Sequence, residues 1–321
     1  MTTSAATTIL FATDFSEGAA RAQAYAQYLG QRLPARLTVL HVVDCPRWLE
    51  DSPGVAAFLV KVQQEVDRQL EDMRKSYESK GLEVTIRRAK GVPSIEISLA
   101  ASEIGADLIV LGARGSSESE GPLLGNVAER VSKTAPCPVL TVPLFRERAD
   151  AEQVVRSSPV VRRILAPVDF SEPSLESVEY AIQLAQKLDA TLALLHVVEP
   201  GYQDSNKTKS ADRTGMMSPP KDNRLWELVS LIKSFGLPGD AMIRVGAPSD
   251  IIVESAQEQQ SDLIVMGTHG WRGFSRLRFG SVAEMVLRLA PCPVLTVKAP
   301  KFAPDHRRVL PTSWAEEGER G

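Results

Sequence analysis

The residues with the clearest chemical potential are three glycines and a serine in the second half of the chain. Gly267 and Gly270 are separated by two residues, and nine further residues lead to Gly280 and Ser281. Glycines allow tight turns after a strand, and the N-terminus of a following helix offers backbone N–H groups and a positive dipole to a phosphate. No Gly-Lys-Ser/Thr sequence follows, so this is not a P-loop. Taken alone, glycines between a strand and a helix are more often plain turns, but the expected position of these opposite Asp169 favours a ligand site.

An acidic residue, Asp169, follows an apolar run and is expected to face the glycine motif. Its carboxylate suits a ribose or a base as a hydrogen-bond acceptor, and Val168 and Val197 offer apolar surface to a ring. The alternative role is to accept backbone N–H groups at the start of a helix capped by Ser171. The two roles are compatible.

These residues belong to an internal duplication with an offset of 155 positions. Three pairs of segments align without a gap: 9–44 with 164–199, 91–115 with 246–270, and 125–143 with 280–298. Identical residues occupy 42 of the 80 aligned positions, against about one in fifteen for unrelated segments of ordinary composition. This identity shows that the chain is a duplicated domain. Because each repeat is long, we expect each to have its own core.

The elements that must position the motifs are alternating apolar runs and amphipathic stretches. Runs such as LIVLG and LALLHVV are apolar throughout, which is typical of parallel strands covered on both faces. Each repeat contains five short runs rich in Val, Ile and Leu, and four helical patterns. We therefore predict an α/β fold of two similar open, doubly wound, five-stranded parallel sheets in tandem, Rossmann-like with strand order 3-2-1-4-5. Ligands bind such sheets at the carboxyl ends of the strands, where the strand order reverses.

Changes in composition suggest the domain boundaries. The stretch 145–161 carries charges and Ser-Ser-Pro, and residues 201–223 are polar and rich in turn formers, which predicts a mobile loop. The last residues lack periodicity. We assign a first domain at 1–148, a linker at 149–161, a second domain at 162–298 and a C-terminal tail at 299–321.

Composition restricts the class of protein. The chain has 321 residues, of which 43% are apolar and 24% charged, which suits two globular domains. A net charge of -3 provides no large basic surface for nucleic acid. Without an apolar run near 18 residues or a signal-peptide pattern, we expect no membrane partner and a cytoplasmic location. The three cysteines form no CxxC pair, so reduced structural thiols and no protein metal site are expected.

The sequence resembles the universal stress protein family in its tandem-domain form. The resemblance covers essentially residues 7–143 and 162–298. Its marks in the second repeat are V-D-F-S at 168–171, L-H-V-V at 195–198, D-L-I-V-M-G-T-H-G at 262–270, G-S-V-A at 280–283 and P-C-P-V-L-T-V at 291–297. The resemblance implies an open α/β sheet, ATP or a related adenine nucleotide bound by some members, dimers paired through the last strands, and roles in stress survival.

The family pattern also implies individual roles for residues of the second repeat. It places Pro167, Val168 and Asp169 near the adenosine and Val197 beside the base. The residues that would line the phosphates are Met266, Gly267, His269, Gly270, Gly280, Ser281 and Val282. The residues of a weaker site in the first repeat are Thr13, Asp14, Val42, Gly112, Gly115, Gly125 and Asn126. His269 is either a phosphate donor or a loop residue facing solvent.

The two repeats differ in charge beside the motif. The loop before Gly280 carries Arg272, Arg276 and Arg278, a charge of +3, whereas the equivalent loop carries Glu118 and Glu120, a charge of -2. Coulomb's law then favours a triphosphate in the second repeat. The alternative is that these arginines only solvate an exposed loop. Mg²⁺ is expected only through the phosphates.

We therefore predict a protein that binds an adenine nucleotide and acts as a stress sensor or regulatory module. The alternatives are a slow ATPase or nucleotidyl-transfer enzyme, and an interaction scaffold without ligand. The sequence contains no evident catalytic base, which favours a protein that is not an enzyme. As partners we expect an intramolecular pseudo-dimer through antiparallel pairing of residues 138–143 with 293–298, and a homodimer of whole chains remains open.

Overall fold

The computed structural model describes residues 6–44, 53–115, 124–144, 159–200, 223–268 and 279–298. Within them each repeat has five strands and four helices, as the sequence predicts. The first repeat contains β1 (Thr7–Thr13), α1 (Glu17–Arg32), β2 (Ala35–Val43), α2 (Pro53–Glu78), β3 (Glu83–Lys90), α3 (Pro93–Glu103), β4 (Leu108–Gly112), α4 (Asn126–Thr134) and β5 (Val139–Val142). The second contains β6 (Arg163–Pro167), α5 (Glu172–Leu188), β7 (Thr191–Val198), α6 (Arg224–Ser234), β8 (Gly239–Val245), α7 (Pro248–Glu258), β9 (Leu263–Gly267), α8 (Ser281–Leu289) and β10 (Val294–Val297).

One compact unit comprises the described residues between Met1 and Val160 together with those between Leu287 and Phe302. Its strands lie in the order β3-β2-β1-β4-β5-β10. β1 to β5 pair in parallel, which confirms the predicted order 3-2-1-4-5. β10 pairs antiparallel with β5, and Leu295 lies opposite Leu140. The expected pairing of the two last strands is therefore confirmed, and the last strand of the second repeat belongs to this first unit.

The other compact unit begins at Val161 and includes the second repeat up to Val286. Its four strands lie in the order β9-β6-β7-β8, all parallel. The order again reverses beside the first strand of the repeat, β6. The carboxyl ends of β6, β7 and β9 therefore lie side by side.

The central strands are apolar throughout because both of their faces are covered. Ile9, Leu10 and Phe11 of β1 are 0% exposed. The outermost strand β3 instead alternates half-buried and exposed residues, as a strand with one covered face does. Among the described residues, no helix combines the length and the hydropathy needed to cross a membrane.

A repeated aspartate fastens the opposite, amino ends of the strands. Asp107, just before β4, accepts a hydrogen bond from the backbone N–H of Thr8 through Oδ2 at 2.7 Å. Asp262, just before β9, accepts from the N–H groups of Arg162 and Arg163, both at 2.9 Å. The acidic residue of the D-L-I-V segments is thus structural, and it lies at the end of the sheet away from the glycine motif.

Candidate functional site

The Asp-Phe-Ser sequence forms the same turn in both repeats, between the first strand and the helix that follows. Oδ1 of Asp14 accepts from the N–H of Ser16 at 3.1 Å and from its hydroxyl at 2.5 Å. Oδ1 of Asp169 accepts from the same groups of Ser171 at 2.9 and 2.5 Å. Each serine is the N-cap residue of its helix, and the Ser16 hydroxyl also accepts from Ala19 N–H at 3.2 Å. The helix-start role of the aspartate is therefore confirmed for one of its oxygens.

The phenylalanine of each turn has a left-handed backbone. φ is 62° at Phe15 and 63° at Phe170, a conformation that costs a bulky residue about 1–3 kcal/mol and persists only where surrounding contacts hold it. Strained residues of this kind cluster at functional sites. The strain lies immediately after the aspartate that the sequence analysis selected.

A histidine of the neighbouring strand holds each turn. Nδ1 of His41 lies 2.8 Å from the carbonyl oxygen of Thr13, and Nδ1 of His196 lies 2.8 Å from that of Val168. A carbonyl only accepts, so each Nδ1 carries the proton. The histidine rings also contact the phenylalanine rings, with centroid separations of 4.7 Å in the first repeat and 5.2 Å in the second. Both histidines therefore have structural partners.

The first glycine of each motif allows a helix to approach the end of a strand. A Cβ on Gly112 would lie 2.6 Å from the backbone carbon of Gly18 in α1, and a Cβ on Gly267 would lie 2.8 Å from the carbonyl oxygen of Pro173 in α5. A Cβ on Gly115 would lie 2.7 Å from Oδ2 of Asp14. In the first repeat, the glycine turn and the acidic residue therefore meet at the carboxyl ends of the neighbouring strands β1 and β4.

The third glycine closes the loop and starts the last helix. The N–H of Gly280 donates to the carbonyl of Thr268 at 2.8 Å, and that of Gly125 donates to Ala113 at 2.7 Å. The N–H group of each third glycine is therefore bonded within its own loop. The first bond of α8 runs from Glu284 N–H to the Gly280 carbonyl at 3.0 Å, so the N–H groups of residues 281–283 precede it at the positive end of the helix.

The described site residues of the second repeat gather at the carboxyl ends of β6, β7 and β9. Val168 and Met266 are buried, at 3% and 5% exposure, and we call these two apolar residues the floor of the candidate site. Six of the other site residues are half-buried: Pro167, Asp169, Val197, Gly267, Gly280 and Val282. Ser281 is exposed. The predicted residues His269, Gly270 and Arg272 lie outside the described residues, as do Arg276, Arg278, Glu118 and Glu120.

The equivalent residues of the first repeat differ in one contact at the floor. The Thr13 hydroxyl accepts a hydrogen bond from Phe15 N–H at 3.1 Å, whereas Val168 has no hydroxyl. Thr13 is 7% exposed. Val42 is half-buried, and Asn126 is exposed at the start of α4. Thr13 therefore takes part in holding the turn, a role that the sequence analysis did not assign.

Sequence reasoning missed two arginines beside these turns. Arg114 follows β4, is 6% exposed and occupies the position equivalent to His269, so the self-alignment could have revealed it. Arg114 precedes the loop that contains Glu118 and Glu120, so the charge of that loop does not include it. The guanidinium carbon of Arg224 lies 4.5 Å from the ring centroid of Phe170. No local pattern signals that contact, because the two residues are far apart along the chain.

The cysteines lie elsewhere and are buried. Cys137 and Cys292 are each 4% exposed. Burial raises the pKa of the Cys137 thiol to about 12, although the nearby charge of Lys298 acts in the opposite direction. Burial lowers the pKa of Lys298 to about 8, and its Nζ donates to the carbonyl of Ala135 at 2.9 Å. No basic residue is adjacent to either cysteine in the sequence. The positive charge near Cys137 comes from Lys298, which the fold brings close to it.

Metal binding finds no support among the described side chains, where no group of three or more His, Cys, Asp or Glu residues could hold an ion. The arrangement at the strand ends instead combines an apolar floor, a carboxylate and a helix N-terminus. These groups suit an organic ring, a hydroxylated sugar and an anion, respectively.

Known proteins resemble each of the two repeats. The model of the universal stress protein family matches residues 6–143 and 161–298. A universal stress protein of Methanocaldococcus jannaschii is 33% identical over 142 residues, which cover 44% of this chain and 84% of the relative.

Two solved structures resemble nearly the whole chain. A universal stress protein from Archaeoglobus fulgidus is 23% identical, with 91% of this chain and 98% of that chain covered and a TM-score of 0.68. A putative one from Pseudomonas aeruginosa is 19% identical, with 98% of both chains covered and a TM-score of 0.58. These likenesses show the fold. The two family matches together span most of the sequence, and this chain therefore belongs to the universal stress protein family, with two family domains in tandem.

Proposed function

We propose that this protein binds ATP or a related adenine nucleotide, mainly in its second repeat, and acts as a sensor or regulatory module in a stress response. One observation carries the proposal: the strained Asp169 turn, the glycine end of β9 and the N-terminus of α8 belong to the same strand ends, where the sheet order reverses. Sheets of this class bind ligands at such switch points.

Each part of the site has one task in this proposal. Val197 and Pro167 contact the base, and Asp169 accepts a hydrogen bond from the ribose. A carboxylate has about four acceptor positions, so this bond is compatible with those to Ser171. The phosphates bind the N–H groups at the start of α8, and Mg²⁺ enters only with them.

The preference for the second repeat rests on three differences between equivalent residues. Ser281 is replaced by Asn126, Val168 by Thr13, and the loop charge of +3 by -2. The buried Arg114 adds one positive charge to the first repeat and reduces the contrast. Because Thr13 uses its hydroxyl to hold the turn, the charge and the serine carry more of the argument than the base slot.

Enzymatic turnover has less support than binding, because the described residues beside the motif include no carboxylate pair and no activated nucleophile. The cytoplasmic location, the absence of nucleic-acid and membrane partners, the intramolecular pseudo-dimer and a homodimer stay predictions. Release of small molecules from freshly purified protein, followed by mass spectrometry, would identify a nucleotide that co-purifies with the chain.

Calorimetric titration of ATP tests the proposal. In Gly280→Val the added side chain stands where the phosphates approach α8, and we expect ATP binding to be lost. Gly125→Val is the matched control in the first repeat, at a backbone of φ -79° and ψ 155° that accepts any residue. It is expected to bind ATP almost normally. Equal losses in both variants, or two equivalent sites in the wild type, would contradict the preference for the second repeat.

A further inference from the structure

Three aromatic or cationic side chains contact one another in series at the Asp169 turn. The guanidinium carbon of Arg224, at the start of α6, lies 4.5 Å from the centroid of the Phe170 ring. That ring, 4% exposed, lies 5.2 Å from the His196 ring. His196 in turn donates to the carbonyl of Val168. A chain of contacts thus runs from α6 to the two residues that flank Asp169.

The turn needs support because Phe170 is left-handed, with φ at 63°. A bulky residue leaves this conformation unless its side chain and neighbours are held. A guanidinium over an aromatic face attracts the ring and covers it from solvent. Arg224 thus contacts the residue whose backbone is strained, directly after Asp169.

The first repeat supports the same turn in another way. Phe15 N–H donates to the Thr13 hydroxyl at 3.1 Å, and the Phe15 ring stacks on His41 at 27° between planes. The position equivalent to Arg224 is Gln69, whose amide donates to Glu65 at 2.7 Å. The second repeat has Val168 in place of Thr13 and so lacks that hydroxyl bond. The second repeat instead has a hydrogen bond from Asp169 N–H to the Ser174 hydroxyl at 3.3 Å and the Arg224 contact with the Phe170 ring, to which we assign the compensation for the lost bond to Phe170.

We propose that Arg224 is a positioning residue for the nucleotide site of the second repeat, which it supports by holding Phe170 and thereby the orientation of Asp169. The inference rests on the proposed nucleotide binding. Arg224 acts here through the turn and not as a counter-charge to phosphate. Its removal should therefore weaken adenosine and ATP alike.

The test replaces Arg224 with the residue of the first repeat, Arg224→Gln, and measures adenosine and ATP affinity by calorimetry. We expect both affinities to fall about two- to five-fold, as for loss of a cation–π contact. Arg224→Lys, which keeps a cation, should lose less. Arg162→Gln, the same charge change at the amino end of β6, is the control and should leave both affinities unchanged. A loss for ATP far above that for adenosine, and reduced by salt, would overturn the positioning role.

A rescue variant makes the test independent of general destabilisation. Val168→Thr supplies the hydroxyl that the first repeat uses, so Arg224→Gln with Val168→Thr should bind as well as Val168→Thr alone. A full additional loss in the double variant would contradict the compensation.

Histidine ring signals in nuclear magnetic resonance separate a failure of the Arg224 inference from a failure of the proposed nucleotide binding. In Arg224→Gln the His196 signals should shift while those of His41 stay in place. An unchanged His196 signal would overturn this inference even where ATP binds. A wild-type protein that binds no nucleotide while His196 responds would instead refute the proposed function.

Discussion

The serines that follow the two strained phenylalanines both bond the preceding aspartate, and the Ser16 side chain also caps its helix. Ser16 donates to Asp14 and also caps α1 through Ala19 N–H. The Ser171 hydroxyl donates to Asp169, and Pro173 stands in the first turn of α5, where a missing N–H costs little. The motif Asp-Phe-Ser is therefore explained by local geometry before any ligand is considered.

Thiol reactivity gives a prediction at this scale. Cys137 and Cys292 should react slowly with a thiol reagent in the native protein and rapidly after denaturation, because burial hinders access and keeps the Cys137 thiol protonated, with a pKa of about 12. Time courses of labelling at pH 8, read by mass spectrometry on peptides that contain each cysteine, provide the measurement. Rapid native labelling of both would refute the buried arrangement.

The contact between each glycine motif and its helix decides how closely strand and helix pack. Gly112→Ala or Gly267→Ala would bring a Cβ within 2.6 or 2.8 Å of helix backbone, and overpacking of this kind costs about 1–3 kcal/mol. We expect the free energy of unfolding, from urea titration, to fall by this amount without any ligand.

Gly30→Ala is the control for these variants. Its Cβ would meet only the Leu82 side chain, at 3.1 Å, and alanine favours a helix over glycine by about 1 kcal/mol. Equal destabilisation in all three variants would show that the strand–helix approach is not the cause. Substitution of the first glycine is thus a poor probe of ligand binding, whereas Gly280 is a better one.

The strands and helices could largely be predicted from the pattern of apolar and polar residues in the sequence. Apolar runs flanked by turns located the ten strands of the described residues, and the crossover rule gave their order in the first repeat. The contacts of single groups did not follow. The engaged N–H of Gly280, the bond between Thr13 and Phe15, and the stacking of Arg224 on Phe170 depend on distances across the fold that no local pattern encodes.

At the scale of the whole molecule, the pairing of β5 with β10 can be tested by charge. Leu140 and Leu295 are opposite each other and 3% and 1% exposed. Leu140→Glu with Leu295→Glu should lower the free energy of unfolding by more than about 3 kcal/mol, because two buried like charges face each other, and should speed limited proteolysis.

Two further pairs separate strand pairing from simple burial. Leu140→Glu with Leu295→Lys places opposite charges at the same sites and should be more stable than the Glu–Glu variant. Leu140→Met with Leu295→Met preserves volume and should cost less than about 1.5 kcal/mol. Identical stability of the Glu–Glu and Glu–Lys variants would mean that the two side chains do not face each other in solution.

The pairing of β5 with β10 also implies a delay during biosynthesis between the synthesis of one strand and that of its partner. About 150 residues separate the paired strands along the chain, and ribosomes add about 5–20 residues per second. β5 therefore leaves the ribosome roughly 8–30 s before its partner exists. During this interval its edge can pair with the same strand of a neighbouring nascent chain. Crowded polysomes should consequently favour exchanged dimers over correctly closed monomers, and slower initiation of translation should reduce them.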